Sequence, residues 1–116
     1  MAISEAYSGT EAVSTTEWSL TTDSSYATDD AQTADGIYQV FLDLSDMIAG
    51  DILQIRIYET CRAGDTQRIA YESILSGVQS TPIWVSPSLI LIHGWDVTCD
   101  AIAGTITVLW SIRKVA

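Results

Sequence analysis

Apolar and polar residues alternate along most of this chain, which is the pattern of strands that bury one face. The clearest stretches are residues 11–20, 37–44, 52–60, 67–75 and 105–115. No stretch keeps a helical period over the roughly ten residues that a helix needs. The pattern predicts an all-β fold, an antiparallel β-sandwich or jelly roll of about seven or eight strands.

Some of these strands carry features that predict their place in a sheet. Residues 37–44 are apolar on both faces, which predicts a central strand. The two strands that follow it are separated by a turn and are predicted to form a hairpin. Residues 83–85 lie between Pro82 and Pro87. Because proline cannot donate to a sheet ladder, these three residues are predicted to form an edge strand or a bridging segment.

Two segments are poor in apolar residues. Residues 1–10 are predicted to form an extended N-terminal arm or a loose first strand, and residues 11–116 a single β-sandwich domain. Residues 22–36 are predicted to form a loop that, at 15 residues, exceeds the usual connection in a compact domain. Long loops tend either to carry a function or to move, so this loop is the first candidate for partner contact.

The acidic charge of the chain is concentrated in its first half. Arg56 is the first basic residue, and ten of the fifteen acids precede it. The other five acids balance the five bases, so the net charge of -10 belongs to the first 55 residues. Such a surface repels nucleic acid and anionic membranes and attracts basic surfaces or divalent cations. We therefore expect no nucleic-acid partner and no membrane partner.

One acidic cluster is not explained by the outward face of a strand. It consists of Asp23, Asp29, Asp30 and Asp35 in the predicted loop. We interpret this cluster as a protein interface facing a basic protein surface, with calcium as the second candidate because carboxylate oxygens are its ligands. The spacing lacks the terminal Glu of an EF-hand loop, so we expect no bound metal and no cofactor.

The residues that could support catalysis form no recognisable set. His93 is the only histidine, no nucleophile elbow is present, and His93 is predicted to lie in a turn or at a strand end. Fifteen acids would allow a glycosidase pair, but nothing marks out one pair. We expect no enzymatic activity.

The two cysteines, Cys61 and Cys99, are too far apart in sequence for a CxxC redox pair or a zinc ligand set. They are interpreted either as two separate, at least half-buried thiols or as one disulfide between neighbouring strands.

The four tryptophans fall into two groups. Trp18, Trp95 and Trp110 lie on the apolar faces of alternating strands and are predicted to be in the core. Trp84, between the two prolines, is predicted to be exposed and to suit a protein interface, where tryptophan is enriched. Exposed aromatic side chains in a groove would instead indicate a carbohydrate-binding module.

The N-terminal residues have neither the basic nor the apolar region of a secretory signal. No stretch approaches the roughly 18 apolar residues of a membrane span. We therefore expect a soluble protein that is made inside a cell.

Three stretches together resemble parts of short all-β proteins from the virions of tailed bacteriophages. They are residues 63–68 (AGDTQR), 94–98 (GWDVT) and 110–116 (WSIRKVA), under a fifth of the chain. The resemblance implies a capsid cement or decoration protein, made in the host cytoplasm, that binds the major capsid protein on the capsid surface. It also implies a homo-oligomer, often a trimer, without catalytic residues.

Other functions stay open at this point. They are a carbohydrate-binding or host-attachment module and a tail or connector component. If the protein decorates a capsid, we expect residues 1–10 and 22–36 to contact the shell or adjacent subunits.

Overall fold

The computed structural model describes residues 2–27 and 31–115, which form ten strands and no helix. The strands make two antiparallel sheets that pack as a sandwich and do not close into a barrel, which confirms the predicted fold class. The strands are β1 (Ile3–Val13), β2 (Trp18–Ser19), β3 (Ser24–Ser25), β4 (Gly36–Asp43), β5 (Ile52–Glu59), β6 (Arg68–Ser76), β7 (Ile83–Val85), β8 (Leu89–Leu91), β9 (Asp96–Ala103) and β10 (Ile106–Val115).

The two sheets are built from strands that are distant in sequence. Sheet A has the order β1-β10-β4, and β7 and β8 both pair with β4 on its far side. Sheet B has the order β3-β2-β9-β5-β6. The predicted central strand β4, the predicted edge strand β7 and the predicted β5–β6 hairpin are all confirmed.

The strand count exceeds the expected seven or eight because residues 3–19 form two strands, β1 and β2, and because Ser24–Ser25 forms the short strand β3 inside the predicted loop of residues 22–36. The predicted strand over residues 11–20 is divided between the two sheets. Its first part ends at Val13 in sheet A, and Trp18 then begins β2 in sheet B. Alternation continues through this crossing, so the sequence pattern does not reveal it.

The N-terminal segment is an edge strand of sheet A, so the second of the two predicted alternatives, a first strand, is confirmed for residues 3–10. Strand β1 pairs with β10 from Ile3 opposite Val115 to Val13 opposite Ile106. The ring of Tyr7 meets that of Trp95 edge-on, with 5.8 Å between the ring centroids. Because its side chains contact the core, residues 3–10 fold with the sandwich and do not form a separate arm.

The core lies between the sheets and is centred on large side chains. Trp95 is completely buried, and its ring centroid lies 4.4 Å from that of Tyr38. Trp110 is also buried, and Trp18 is half-buried against the core, as predicted for both. Fully buried aliphatic side chains come from both sheets and include Leu42, Leu53, Ile55, Ile57, Ile106 and Ile112.

Residues 45–51 connect the two sheets through turns. Gly50 has a φ of 92°, a left-handed conformation that glycine adopts without strain. Gly104 also has a positive φ, and Asp51 packs against it.

Candidate protein-interaction site

The outer face of sheet A carries a broad apolar surface. Alternation along the strands sends one set of side chains into the core and the other set to the outside. The outward set includes eight apolar residues, which we call the apolar face of sheet A: Ile3, Ile37, Phe41, Ile83, Val85, Ile90, Leu109 and Val115.

Strand register arranges the outer face of sheet A in rows, of which the first is wholly apolar. Ile3, Val115, Ile37 and Ile90 lie side by side across β1, β10, β4 and β8. Of their residue surfaces, Ile90 exposes 78%, Ile3 70% and Ile37 43%. The next row is polar and consists of Glu5, Arg113 and Gln39, and the other apolar residues lie beyond it. Single exposed hydrophobic residues are normal on a protein surface, whereas a contiguous patch marks an interaction site.

Polar side chains alternate with the apolar ones on this face: Glu5, Ser8, Thr10, Gln39, Asp43, Thr107, Ser111 and Arg113. The guanidinium of Arg113 lies over the ring of Phe41, with its Cζ 3.8 Å from the ring centroid. Glu5 is opposite Arg113 on β1, and Asp43 is opposite Leu109 on β4. One base and two acids give this face a formal charge near -1, so it contributes little to the net charge of the chain.

Two shallow cavities of about 200 Å³ each indent the face. One is lined by Ile3, Ile37 and Val115, and the other by Ile83 and Leu109. Phe41 and Arg113 line both cavities. These two side chains therefore form a ridge between two hollows.

The exposed outer face of β4 corresponds to a feature of the sequence. The apolar residues on both faces of 37–44 predicted a central strand, and β4 is central within its sheet. Its outer face is nevertheless exposed at Ile37 and only partly covered at Phe41. The second apolar face of β4 thus belongs to a surface and not to a second core.

Trp84 is not the exposed anchor that was predicted. It lies opposite Leu42 on the inward face of β7, is half-buried, and has its ring centroid 6.5 Å from that of Tyr71. Because neighbours along a strand point to opposite faces, its inward position sends Ile83 and Val85 outward. Those two residues belong to the apolar face, and the sequence reasoning missed them.

The structure describes the acidic loop on both sides of residues 28–30. Asp23 and Asp35 are exposed, and the Oδ1 of Asp23 accepts a hydrogen bond of 3.1 Å from the indole nitrogen of Trp18. Between them, the backbone of Gln32 exchanges two hydrogen bonds of 2.7 and 2.9 Å with that of Trp95. These contacts fix parts of the loop to the sandwich.

Asp29 and Asp30 lie outside the described residues. Within residues 2–27 and 31–115, no three His, Cys, Asp or Glu side chains gather in a way that could hold a metal ion.

The outer face of sheet B is polar and internally bonded, in contrast to that of sheet A. The Oε2 of Glu17 accepts hydrogen bonds from the hydroxyls of Tyr58 at 2.6 Å and Thr98 at 2.5 Å. Arg56 donates from Nε to Glu72 at 2.8 Å and has a nitrogen 3.7 Å from Glu17. Burial and the Glu17 carboxylate both raise the pKa of Tyr58. This cluster uses Glu17 to hold strands together, so Glu17 is a structural acid.

Asp100 on β9 is less well accommodated. Its Oδ1 is buried without a hydrogen-bond partner among the described residues. Desolvation raises the pKa of Asp100 above its ordinary value, the nearby Arg56 opposes this shift, and Glu17 and Glu72 add to it. Since the folded state holds the proton more tightly than the unfolded state, ionisation of Asp100 weakens folding as pH rises.

We therefore expect Asp100→Asn to raise the free energy of unfolding at pH 7. The gain should shrink as the pH falls through the raised pKa of Asp100, and it should vanish below about pH 3, where both states of the wild-type carboxyl are protonated. Urea unfolding at several pH values measures this difference.

Asp43→Asn is the control of opposite sign. Hydrogen bonds from Ser45 lower the pKa of Asp43, so this substitution should reduce stability at neutral pH. A variant Asp100→Asn that is less stable than the wild type at pH 7 would contradict the assignment.

The remaining reactive side chains are separated or engaged in structural bonds. Cys61 and Cys99 are free thiols and form no disulfide. Cys99 is completely buried, which raises its pKa, whereas Cys61 is exposed, so the prediction that it is at least half-buried is wrong. A cavity of about 570 Å³ lies beside Cys61. Of the two carboxylates that line it, Glu59 accepts the backbone N–H groups of residues 92 and 93, and Asp65 pairs with Arg62 at 2.9 Å.

His93 lies in the bend before β9, as predicted. In the described parts of the chain there is no helix long and apolar enough to cross a membrane. Comparison of the chain with models of protein families, with curated proteins and with solved structures finds no match.

Proposed function

We propose that this chain is a non-enzymatic structural protein of a tailed-bacteriophage virion, a capsid cement or decoration protein that binds the major capsid protein on the capsid surface. The exposed apolar row of Ile3, Val115, Ile37 and Ile90 on sheet A supports a protein-binding role, because exposed apolar patches mark interaction sites. The virion assignment is supported by the resemblance of residues 63–68, 94–98 and 110–116 to such proteins.

The apolar face favours a protein partner over a sugar. Carbohydrate-binding surfaces stack sugar rings on exposed aromatic side chains. Phe41 is the aromatic residue on this face, and the guanidinium of Arg113 covers its ring. The other outward apolar side chains are aliphatic, which suits packing against another protein.

The acidic loop is the proposed contact to the shell. Asp23 and Asp35 are exposed at its ends, and Asp29 and Asp30 lie in the same loop in sequence. Acidic side chains attract a basic surface over several ångströms at moderate salt. A basic patch on the major capsid protein is the partner that fits this charge.

The location of the protein in purified particles tests the proposal. Cryo-electron microscopy should show density for this sandwich on the outer surface of the shell. Density in the tail or at the connector would support the tail or connector alternative instead. Particles that lack the protein altogether would contradict any virion role.

Neutralising the loop should weaken shell binding. We expect the variant with asparagine at Asp23, Asp29, Asp30 and Asp35 to bind capsids roughly tenfold more weakly at low salt, since each exposed ion pair contributes up to about 1 kcal/mol. Asparagine keeps the oxygen that accepts the Trp18 hydrogen bond, so the fold should persist. Co-sedimentation with capsids lacking the protein measures the affinity.

The matched control is Asp65→Asn, which removes one exposed acid outside the loop. Its capsid affinity should stay within about twofold of the wild type, because one surface charge contributes little. Equal binding by the four-site variant and the wild type would show that the loop does not contact the shell.

Deletion of residues 1–10 is a poor test of shell contact. It would remove most of β1 and the Tyr7 ring that packs on Trp95. Lost binding would then report lost folding as readily as a lost contact.

A further inference from the structure

We propose that the apolar face of sheet A packs against the same face of a second copy of this chain, forming a two-fold symmetric dimer of sandwiches. The dimer does not depend on the virion role, and it assigns the apolar face to self-association while leaving the acidic loop for the shell.

The shape of the face suits a second sheet. Its apolar row of Ile3, Val115, Ile37 and Ile90 runs across four neighbouring strands without a covering segment among the described residues. Sheets stack about 10 Å apart when their side chains interdigitate. The ridge of Phe41 and Arg113 stands between two hollows of about 200 Å³. A copy turned about a two-fold axis can offer aliphatic side chains to both hollows.

Charge selects a second copy over a basic shell as the occupant. Each copy carries a net charge of -10, so contact through most other surfaces brings acid against acid. The apolar face carries one base, Arg113, and two acids, Glu5 and Asp43. Two such faces meet with little repulsion, and each Arg113 can approach an acid of the other copy. A basic partner gains more from the acidic loop than from this nearly neutral face.

The size of the face predicts a reversible dimer. Four strands by seven residues cover roughly 450 Å² as a flat area, from the usual strand spacing and rise. Side chains that project from the pleat make the accessible area larger than this flat area. The area buried on each copy is then somewhat under the roughly 800 Å² per partner of a standard specific interface. The association is therefore expected to depend on concentration.

Symmetry predicts a dimer and not the trimer that the resemblance implies. A single face that covers itself uses the same patch on both copies and closes at two. A cyclic trimer requires two different complementary patches on each copy.

Analytical ultracentrifugation of the full chain over a wide concentration range tests the proposal. The wild type should sediment as a monomer–dimer equilibrium. Ile37→Glu should weaken the dimer at least about tenfold, because the two-fold axis puts two charges into one apolar contact. Circular dichroism and urea unfolding of the same samples verify that the variant is folded.

Ile74→Glu is the matched control, since Ile74 exposes 55% of its surface on β6 of sheet B, a value close to that of Ile37. It should leave the dimer constant unchanged within about twofold. If Ile37→Glu does not fold, Ile90→Glu replaces it. Ile90 lies in the same row and is 78% exposed, so this change has little effect on the core.

Three outcomes would overturn the proposal. They are a monomer at every concentration, a trimer, and a dimer that neither Ile37→Glu nor Ile90→Glu weakens. A monomer that still decorates capsids would leave the proposed function standing and refute only the dimer. A dimer in solution together with particles that lack the protein would support the dimer and refute the proposed function.

Discussion

Replacing Trp95 with alanine is expected to lower the free energy of unfolding by about 3–5 kcal/mol, the usual cost of removing a buried tryptophan. Trp95 is completely buried and contacts the rings of Tyr7 and Tyr38, which come from the opposite sheet. Its removal leaves a cavity at the point where both sheets meet. Since a domain of this kind has a total stability of about 5–15 kcal/mol, a large part of the stability would be lost.

The same substitution should also loosen the acidic loop. The indole nitrogen of Trp95 donates a hydrogen bond of 3.2 Å to the carbonyl of Ala34, just before Asp35. Hydrogen exchange of residues 31–35 should therefore accelerate more than the global loss of stability explains.

Trp84→Ala is the control for residue size. Trp84 is half-buried at the edge of sheet A, so its loss should cost less than that of Trp95. Urea midpoints followed by circular dichroism compare the two variants. Equal midpoints would show that Trp95 does not have the central position described.

Gly9→Val is expected to destabilise the chain by about 1–3 kcal/mol or more, the range for overpacking a well-filled core. A Cβ at Gly9 would lie 2.5 Å from Cζ2 and 2.9 Å from Cε2 of Trp110. Trp110 is only 4% exposed, so its ring cannot move away without displacing its neighbours. The strain should fall on the pairing of β1 with β10.

Two further variants distinguish a clash with the Trp110 ring from a general sensitivity of β1 to substitution. Ala12→Val adds the same side chain at an exposed position of β1, where a β-branched residue suits a strand, and should change stability by less than about 0.5 kcal/mol. In a Trp110→Leu background, Gly9→Val should cost clearly less, because the ring that it meets is gone. An equal cost in both backgrounds would refute the proposed clash.

The two outer faces of the sandwich differ in how far their side chains satisfy one another. On sheet B, Glu17, Arg56 and Glu72 satisfy one another, which suits a solvated surface. On sheet A, the outward residues include exposed aliphatic side chains such as Ile3, Ile37 and Ile90. The acidic loop is a third, negatively charged surface. The proposed contact to a second copy and the proposed contact to a basic shell would therefore use different surfaces.

Local patterns were sufficient for much of the fold. Alternation gave the all-β class, because only a strand turns every second side chain to one face. The prolines placed residues 83–85 at an edge, and the turn after residue 60 gave the β5–β6 hairpin. Each of these features depends on residues that are close in sequence.

The candidate site could be predicted only in part. Sequence reasoning identified the acidic loop and the double-sided pattern of 37–44, but it assigned the interface tryptophan to Trp84. All three residues of strand β7 are apolar, so the local sequence does not show whether Trp84 points inward or whether Ile83 and Val85 do. Pairing with β4 decides it by placing Trp84 opposite the buried Leu42.

The sequence by itself determined the strands, the acidic first half and the absence of helical periodicity, since each of these is a property of local composition or spacing. Only the tertiary structure decided that residues 3–10 belong to a sheet and that Ile3, Ile37, Ile90 and Val115 share one row. The register between distant strands depends on the simultaneous packing of both sheets, and a shift of one residue would turn every side chain of a strand to the other face. The apolar face is a product of that register.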